Sequence, residues 1–254
     1  LGRNDESVAM LRTAISLNPD MPVAHCSLGT VLKQMRLHEE ARQCYQRAIE
    51  LKPDLAEAYN NLGAILNNLR EVEQAEQALL KAIRLKNDYA DAQWNLSLNQ
   101  LLQGRFENGF RLYEWRWNAG TCLKGLERHF KQPLWLGTES LKGSTILIHA
   151  EQGLGDTLQF CRYLNLLKSL GCQVIFEVQR PLTKLLADLE GVDVLVPKGD
   201  SLPKFDFHCP LMSLPLAFKT TEDSIPAPIG YLSAQADRKA RWSEYLGKDG
   251  FKIG

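Results

Sequence analysis

Residues 145–160 read TILIHAEQGLGDTLQF, and this stretch decides the fold of the second half of the chain. It begins as a short apolar run, passes through a loop with Gly153 and Gly155, and opens a helix expected to start at Asp156 or Thr157. A buried strand, a glycine turn and a helix N-terminus let the backbone approach a ligand and leave the first helical N–H groups unpaired. The stretch therefore predicts a polar site at this turn.

Strands and helices alternate from this stretch onward. The predicted strands are 145–150, 173–178, 192–196 and 205–209. The predicted helices are 156–170, 181–189, a short one within 212–218, and one near 235–246. Alternation at this spacing is typical of a parallel sheet with both faces covered, so we expect an α/β layer over residues 143–254.

The first half of the chain repeats itself every 34 residues. The matching sets are Leu28, Leu62 and Leu96; Gly29, Gly63 and Ser97; Ala41 and Ala75; Ala48 and Ala82; and Tyr45, Leu79 and Tyr113. Small residues at Gly29 and Ala41 allow the two helices of a hairpin to approach closely, and large ones at Leu28 and Tyr45 fill the space between hairpins. A proline such as Pro53 ends a second helix.

This repeat resembles the tetratricopeptide repeat over about residues 1–118. Three positions depart from the pattern, namely Asn87, Ser97 and Gly109. The resemblance implies a concave groove that binds a peptide or protein, with Lys33, Thr30, Asn60 and Asn67 among its lining residues. The alternative is that the hairpins serve mainly as a rigid spacer.

Composition excludes several classes of protein. Lys+Arg and Asp+Glu are both 30, so the chain lacks the basic excess typical of nucleic-acid-binding proteins. No apolar run approaches the length of a membrane span, and the N-terminus lacks a signal-peptide pattern. The six cysteines contain no CxxC pair, which favours reduced thiols in a cytoplasmic protein with no metal site and no cofactor.

The chemistry of the glycine loop has three interpretations. A P-loop is excluded because no GK[ST] follows the glycines. A dinucleotide site would use Gly153, Gly155 and an acidic residue at Glu177, but the third glycine is missing and Asp156 would compete with the pyrophosphate at the helix N-terminus. A fixed carboxylate at Asp156 could instead be a general base for an acceptor hydroxyl, or simply a helix cap.

A second resemblance covers nearly the whole chain. The motifs HAEQGLGDTLQFCRYL, FEVQRPL, GVDVLV and FDFHCPLMSLPLAF, with YEWRW and QPLW before them, look like those of bacterial tetratricopeptide-repeat glycosyltransferases. These are similar to the heptosyltransferases, inverting enzymes of the two-Rossmann-domain GT-B fold. The resemblance implies repeats at 1–118, a linker at 119–142 and a Rossmann-like acceptor-side half at 143–254. It also implies that the donor-binding half is missing after Gly254.

The same resemblance assigns roles to residues. Gly155-Asp156 matches the GD pair that carries the proposed general base, so Asp156 is the candidate catalytic residue. Position in the chain, and not the resemblance, suggests the acceptor-binding residues, which are expected at the ends of the first and fourth strands and in the glycine loop: His149, Glu151, Gln152, Gly153, Gly155 and His208. The implied partners are a glycan or protein hydroxyl acceptor, and a nucleotide sugar only when the missing half is present. A protein-interaction module with an inert α/β domain, and a nucleotide-binding oxidoreductase domain, remain alternatives.

Overall fold

The computed structural model describes residues 2–120, 123–228, 230–234 and 236–246. Cys122 and the C-terminal FKIG lie outside the described residues. The chain divides into two compact units, 1–128 and 129–254. Within the described ranges, no helix is long and apolar enough to cross a membrane.

The first unit consists of helical hairpins. Its helices are α1 Gly2–Leu17, α2 Pro22–Gln34, α3 His38–Leu51, α4 Ala56–Asn68, α5 Val72–Leu85, α6 Ala90–Leu102 and α7 Phe106–Tyr113, followed by a 3₁₀ turn at Glu114–Trp117. The predicted hairpins correspond to α2/α3, α4/α5 and α6/α7. The 34-residue period therefore placed each helix pair correctly.

Close contact within each hairpin depends on glycine at the repeated small position. A Cβ on Gly29 would lie 2.7 Å from the ring of Tyr45, and one on Gly63 would lie 2.5 Å from the side chain of Leu79. Tyr45 and Leu79 are fully buried. Each glycine therefore makes room for the large side chain that packs against it from the second helix of the same hairpin.

The third hairpin reverses this arrangement. Ser97 occupies the glycine position, and its hydroxyl donates to the backbone carbonyl of Gly109 at 3.0 Å. Gly109 replaces the alanine found in the earlier repeats, and a Cβ there would lie 2.7 Å from Leu101. Tyr113 packs against Trp94, with ring centroids 4.7 Å apart. Two of the three departures seen in the sequence, Ser97 and Gly109, are thus joined by a hydrogen bond between the two helices of this hairpin.

The turns between paired helices share an uncommon backbone conformation. Arg36 and Arg70 have φ values of 62° and 65°, and Gly104 has 71° at the equivalent position of the third hairpin. Left-handed backbone costs about 1–2 kcal/mol for a residue with a Cβ, whereas glycine adopts it freely. Glycine would therefore fit all three turns.

The second unit contains a four-stranded parallel sheet in the order β3-β2-β1-β4. The strands are β1 Thr145–His149, β2 Gln173–Val178, β3 Val194–Pro197 and β4 Phe207–Pro210. The helices are α8 Leu154–Phe160, α9 Leu164–Lys168, α10 Leu214–Ala217 and α11 Ala236–Leu246. The four predicted strands and their parallel pairing are confirmed. The bounds of β3 and β4 lie one or two residues later in the chain than predicted.

Two helix predictions were wrong in detail. The helix after β1 starts at Leu154, not at Asp156 or Thr157, and a 3₁₀ turn at Cys161–Tyr163 divides it from α9. The predicted helix at 181–189 is only a short 3₁₀ turn at Arg180–Leu182, followed by further turns. The leucines Leu182, Leu186 and Leu189 are nevertheless buried, as an apolar helical face would be.

The sheet has two different faces. Ile146 and Ile148 point into the main core with the helices, whereas Leu147 packs with Ile175 and Val196 on the opposite face. Three side chains from outside the strands cover these apolar residues on the second face: Phe130 from the segment before β1, and Leu202 and Phe205 from the segment between β3 and β4. Alternation along β1 therefore places His149 on the same face as Leu147.

The segment before β1 is part of the second unit's packing. Trp135 is buried in the main core, and its indole N–H donates to the carbonyl of Glu139 at 3.0 Å. The Trp135 backbone N–H donates to the His208 carbonyl at 2.8 Å. Gly137 has φ 90°, and a Cβ there would lie 2.0 Å from the carbonyl oxygen of Ala217. The segment thus packs directly on β4 and the end of α10.

Candidate functional site

A chain of amide side chains connects α4 and α6 in the helical unit. Asn95 donates to the side-chain oxygen of Asn60 at 2.8 Å, and Asn67 donates to the backbone carbonyl of Asn95 at 3.3 Å. Asn99 then donates to the side-chain oxygen of Asn67 at 2.7 Å. Because these bonds join consecutive hairpins, they fix both the packing of the helices and the orientation of the amides.

Asn99 is the most heavily bonded member of this chain. Its amide N–H groups donate to Asn67 and to the carbonyl of Val72 at 2.8 Å, and its oxygen accepts from Gln103 at 2.7 Å. The side chain is fully buried. Its donors and its acceptor are thus used inside the protein, so Asn99 positions other amides and does not meet a ligand itself.

A pocket of about 500 Å³ lies beside the amide chain. Its lining residues are Lys33, Ala64, Asn67, Asn68, Arg70, Asn95, Leu98 and Leu102. Leu98 and Leu102 are 37% and 46% exposed, so the pocket has an apolar side as well as a polar one. The volume is in the range of about 300–1,000 Å³ typical of small-ligand sites.

The predicted groove residues divide into two groups. Lys33 and Asn67 line the pocket, whereas Asn60 is buried and supports Asn95 from behind. Thr30 is outside the lining, and its hydroxyl donates to the carbonyl of Cys26 at 3.1 Å. Sequence reasoning missed Asn95 and Asn99 as partners of Asn60 and Asn67, although their separations of 32–35 residues, close to one repeat, were the available signal.

In the second unit, Asp156 belongs to the first turn of α8. Its carboxylate accepts the backbone N–H of Gly153 at 3.0 Å, and the Thr157 N–H donates to the Gly153 carbonyl at 3.1 Å. Asp156 is therefore the third residue of α8, after the capping residue Gly153, and it stabilises the turn as half of a capping box. Its side chain is half-buried.

Gln179 holds this loop from the end of β2. Its amide N–H donates to the carbonyl of Gln152 at 2.7 Å, and its oxygen lies 3.0 Å from the hydroxyl of Thr157. The loop is thus tied to the neighbouring strand on both sides of the glycines. Sequence reasoning did not identify Gln179, since a glutamine after a strand has no distinctive pattern.

The two candidate histidines lie close together: His149 is the last residue of β1, and His208 is the second residue of β4, in register with Leu147 and not at the strand end that was predicted. Their ring centroids are 5.7 Å apart, and the ring of Phe130 lies 5.7 Å from His149 and 4.8 Å from His208. Both histidines are buried, at 2% and 7% exposure. An acceptor could therefore touch them only after surrounding side chains, Phe130 among them, had moved.

Two acidic residues, Glu177 and Glu151, lie near this edge of the sheet. Glu177 pairs in register with His149 and is 3% exposed, which counts further against the ribose ligand of a dinucleotide site. Glu151 accepts the backbone N–H of Met212 at 3.2 Å, where the turn leading to α10 begins. Among the described residues, no group of His, Cys, Asp and Glu could hold a metal ion.

Comparison with known proteins identifies the helical repeats. A family model described as TPR repeat matches residues 38–69, and one described as tetratricopeptide repeat matches residues 56–89. The helical half of the chain contains tetratricopeptide repeats. A search of curated proteins finds no match.

Solved structures give partial similarity. The match to the crystal structure of MamA has 25% sequence identity and a TM-score of 0.43. It covers 47% of this chain and 70% of the MamA chain. YrrB is described as a TPR protein with an unusual peptide-binding site. It is 18% identical, with a TM-score of 0.40, over 43% of this chain and 57% of the YrrB chain. The first TPR of Spaghetti, bound to an HSP90 peptide, is 20% identical, with a TM-score of 0.39, over 40% of this chain and 82% of the Spaghetti chain.

Proposed function

We propose that the tetratricopeptide repeats bind an extended peptide segment of a partner protein in the pocket between α2, α4 and α6. The observation that carries this proposal is the pairing, in one pocket, of amides held by internal hydrogen bonds with two exposed leucines. The protein would act as an interaction module, in agreement with the repeat family that the models identify.

The chemistry of the lining suits a peptide. Each residue of an extended peptide presents one N–H and one C=O, and an asparagine amide can both donate and accept. Asn67, Asn68 and Asn95 supply such amides, and Ala64 leaves space for a main chain to come close. Leu98 and Leu102 can cover an apolar side chain of the peptide. Affinity would come from both contacts, at a low ordering cost on the protein side.

Replacing the exposed leucines tests this proposal. Peptides are first selected from a random display library on the wild-type protein, and their affinity is measured by calorimetry. Leu98→Ser or Leu102→Ser should weaken binding by about tenfold or more, because burying such a side chain contributes about 1.5–3 kcal/mol. Their melting temperatures should stay close to that of the wild type, since both leucines are exposed.

Leu80 provides the matched control. It is 38% exposed on α5 and does not line the pocket. Leu80→Ser should therefore bind the selected peptides as the wild type does. Equal affinity for all three serine variants, or failure to select any peptide, would contradict the proposal and favour a spacer role for the repeats.

We also propose, as a second function, that the α/β unit is the acceptor-side half of an inverting glycosyltransferase with a Rossmann-like, GT-B-type architecture. The supporting observation is the carboxylate of Asp156, which the Gly153 N–H holds in a tied loop after the first strand of a parallel sheet. Clefts of open α/β sheets lie at this edge. A nucleotide sugar would be bound by a further half, and a glycan or protein hydroxyl would be the acceptor.

Asp156→Asn tests the second function in a polypeptide that includes a donor-binding half. The asparagine oxygen can still accept the Gly153 N–H, so the melting temperature should hold. It cannot accept a proton, so turnover with a nucleotide-sugar donor should fall by about 10²-fold or more. Undiminished turnover in the folded variant would mean that Asp156 only caps the helix and is not the general base.

A further inference from the structure

The second helix of each hairpin presents the same face to its first helix, and α1 presents that face as well. It consists of a small residue, a leucine and an alanine, namely Ala75, Leu79 and Ala82 on α5, and Ser7, Leu11 and Ala14 two repeats earlier on α1. The three α5 residues are fully buried, whereas the three α1 residues are only half-buried. Within the described ranges, α1 packs mainly against α2. We call the three α1 residues the open face.

The later hairpins show which kind of element covers such a face. Leu79 is buried because α4 lies across it, and a Cβ on Gly63 would lie 2.5 Å from the Leu79 side chain. Gly29 of α2 approaches Tyr45 in the same way. Leu11 is the same residue type as Leu79, so its surface has the same complement. We propose that the open face of α1 binds an amphipathic helix of a partner protein that carries glycine or another small residue opposite Leu11.

Apolar side chains beside the open face continue an existing core. Leu11 packs against the apolar cluster that α2, α3 and α4 form. Met10 and Leu17 follow the two small residues of the open face by three positions each, so they lie on the same side of α1, and they are 66% and 83% exposed. Singly exposed apolar residues are common, but neighbouring ones at the edge of a core mark a contact surface. A docked helix would cover both and extend an interface that the protein already contains.

Charge specifies the partner further. The open face is uncharged, and Arg12 lies on the opposite side of α1, where it pairs with Glu40 of α3 at 2.9 Å. The contacting side of the partner helix is therefore apolar, because a charge buried there would have no partner. None of the open-face residues lines the pocket between α2, α4 and α6. This surface thus serves a second partner, and the inference does not depend on peptide binding in the pocket.

The α4 sequence supplies the probe, because α4 covers the equivalent leucine in this protein. A fluorescent peptide of residues 56–68 is titrated with the full wild-type chain, and binding is followed by anisotropy. The peptide should bind, and Gly63→Leu in the peptide should weaken binding by about tenfold or more, since the larger side chain has no space against Leu11. Leu98→Ser in the protein should leave the affinity unchanged, which separates the open face from the pocket.

Two serines of α1 provide a matched pair of protein variants. The Ser7 hydroxyl donates to the Arg3 carbonyl at 2.8 Å, and the Ser16 hydroxyl donates to the Thr13 carbonyl at 2.7 Å. Ser7 belongs to the open face, whereas Ser16 is exposed on the opposite side of α1. Ser7→Leu should weaken peptide binding by about tenfold or more, because it fills the space that the helix needs, and Ser16→Leu should keep the wild-type affinity. Both variants should retain the helical circular dichroism of the wild type.

A tethered copy of the helix tests the location of the bound peptide. Residues 56–71 are joined directly to Asn4, which corresponds to Val72, so that the added helix meets α1 as α4 meets α5. This chain should melt at a higher temperature than the wild type, and it should no longer bind the free peptide.

Three results would overturn the proposal: no binding of the peptide to the wild type, equal binding by the Ser7→Leu and Ser16→Leu variants, or undiminished binding by the tethered chain. Self-association of the wild type that Ser7→Leu disrupts in sedimentation equilibrium would also overturn it, since the face would then belong to a second copy of this chain. Peptides selected on the pocket should bind Ser7→Leu as they bind the wild type, so failure of one surface leaves the other intact.

Discussion

Gly137→Ala should destabilise the α/β unit by about 3–5 kcal/mol, because a Cβ there would make the shortest contact of any described glycine in that unit. Gly137 has φ 90°, and an added Cβ would lie 2.0 Å from the carbonyl oxygen of Ala217. Backbone meets backbone at this point, so no side chain can rotate away. The lost free energy of unfolding would be measured by urea denaturation, with the hydrogen exchange of backbone amides in residues 129–228 as the probe of this unit.

Gly143 separates the two causes of this effect. Its φ is 77°, but a Cβ there would have no atom within 4 Å. Gly143→Ala should therefore cost only the conformational strain, about 1–2 kcal/mol. If both variants lost the same stability, the close approach of residue 137 to the end of α10 would not be a determinant of the fold.

Asn99→Ala should destabilise the helical unit by about 2–3 kcal/mol, because buried polar groups would lose their partners. The carbonyl of Val72, the side-chain oxygen of Asn67 and the amide of Gln103 all bond to Asn99. Peptide affinity should fall as well, since Asn67 lines the pocket and loses the bond that orients it. Chemical denaturation and calorimetry on the same samples would measure both effects.

Asn61→Ala is the control for that measurement. Asn61 lies on α4 like Asn67 and is half-buried, but its contact is a weak one to the sulfur of Cys26 at 3.9 Å. Its removal should change stability by less than about 0.5 kcal/mol and leave peptide binding unaltered. A similar loss in both variants would mean that the amide chain has no special role in the helical unit.

The sequence predicted most of the helical unit because repetition supplies its own evidence. A residue such as Gly29 is ambiguous alone, but its recurrence at Gly63 opposite Tyr45 and Leu79 identifies a packing position. The amide chain was harder to predict. Each bond joins neighbouring hairpins, and asparagine within a helix more often signals an exposed surface than a buried network.

The α/β unit shows where apolar patterns stop being informative. Strands β1 and β2 were predicted accurately because buried parallel strands have continuous apolar sequences. Leu182, Leu186 and Leu189 have helical spacing and are buried, yet successive turns bring them to the core. Spacing specifies which side chains are buried, but it does not specify the backbone hydrogen bonds.

The candidate site was predicted in part. A common rim for His149 and His208 was expected because parallel strands end at one edge. Their rings do lie 5.7 Å apart, but His208 is the second residue of β4, in register with Leu147, and not at the end of its strand. Their burial under Phe130 could not be foreseen, because Phe130 comes from a loop without periodicity. The start of α8 at Leu154 was missed because Gly153 took the capping position that the sequence suggested for Asp156.

The exchange between Ser97 and Gly109 constrains how the array can change over evolutionary time. Reverting Ser97 to glycine alone removes a bond to the Gly109 carbonyl, and reverting Gly109 to alanine alone drives a methyl group into Leu101. The first change costs one hydrogen bond, roughly 0.5–1.5 kcal/mol, and the second requires Leu101 to move. Each single step towards the sequence of the neighbouring repeats therefore costs some stability in the third hairpin, so exchange of sequence between repeats is less readily tolerated there than between the first two hairpins.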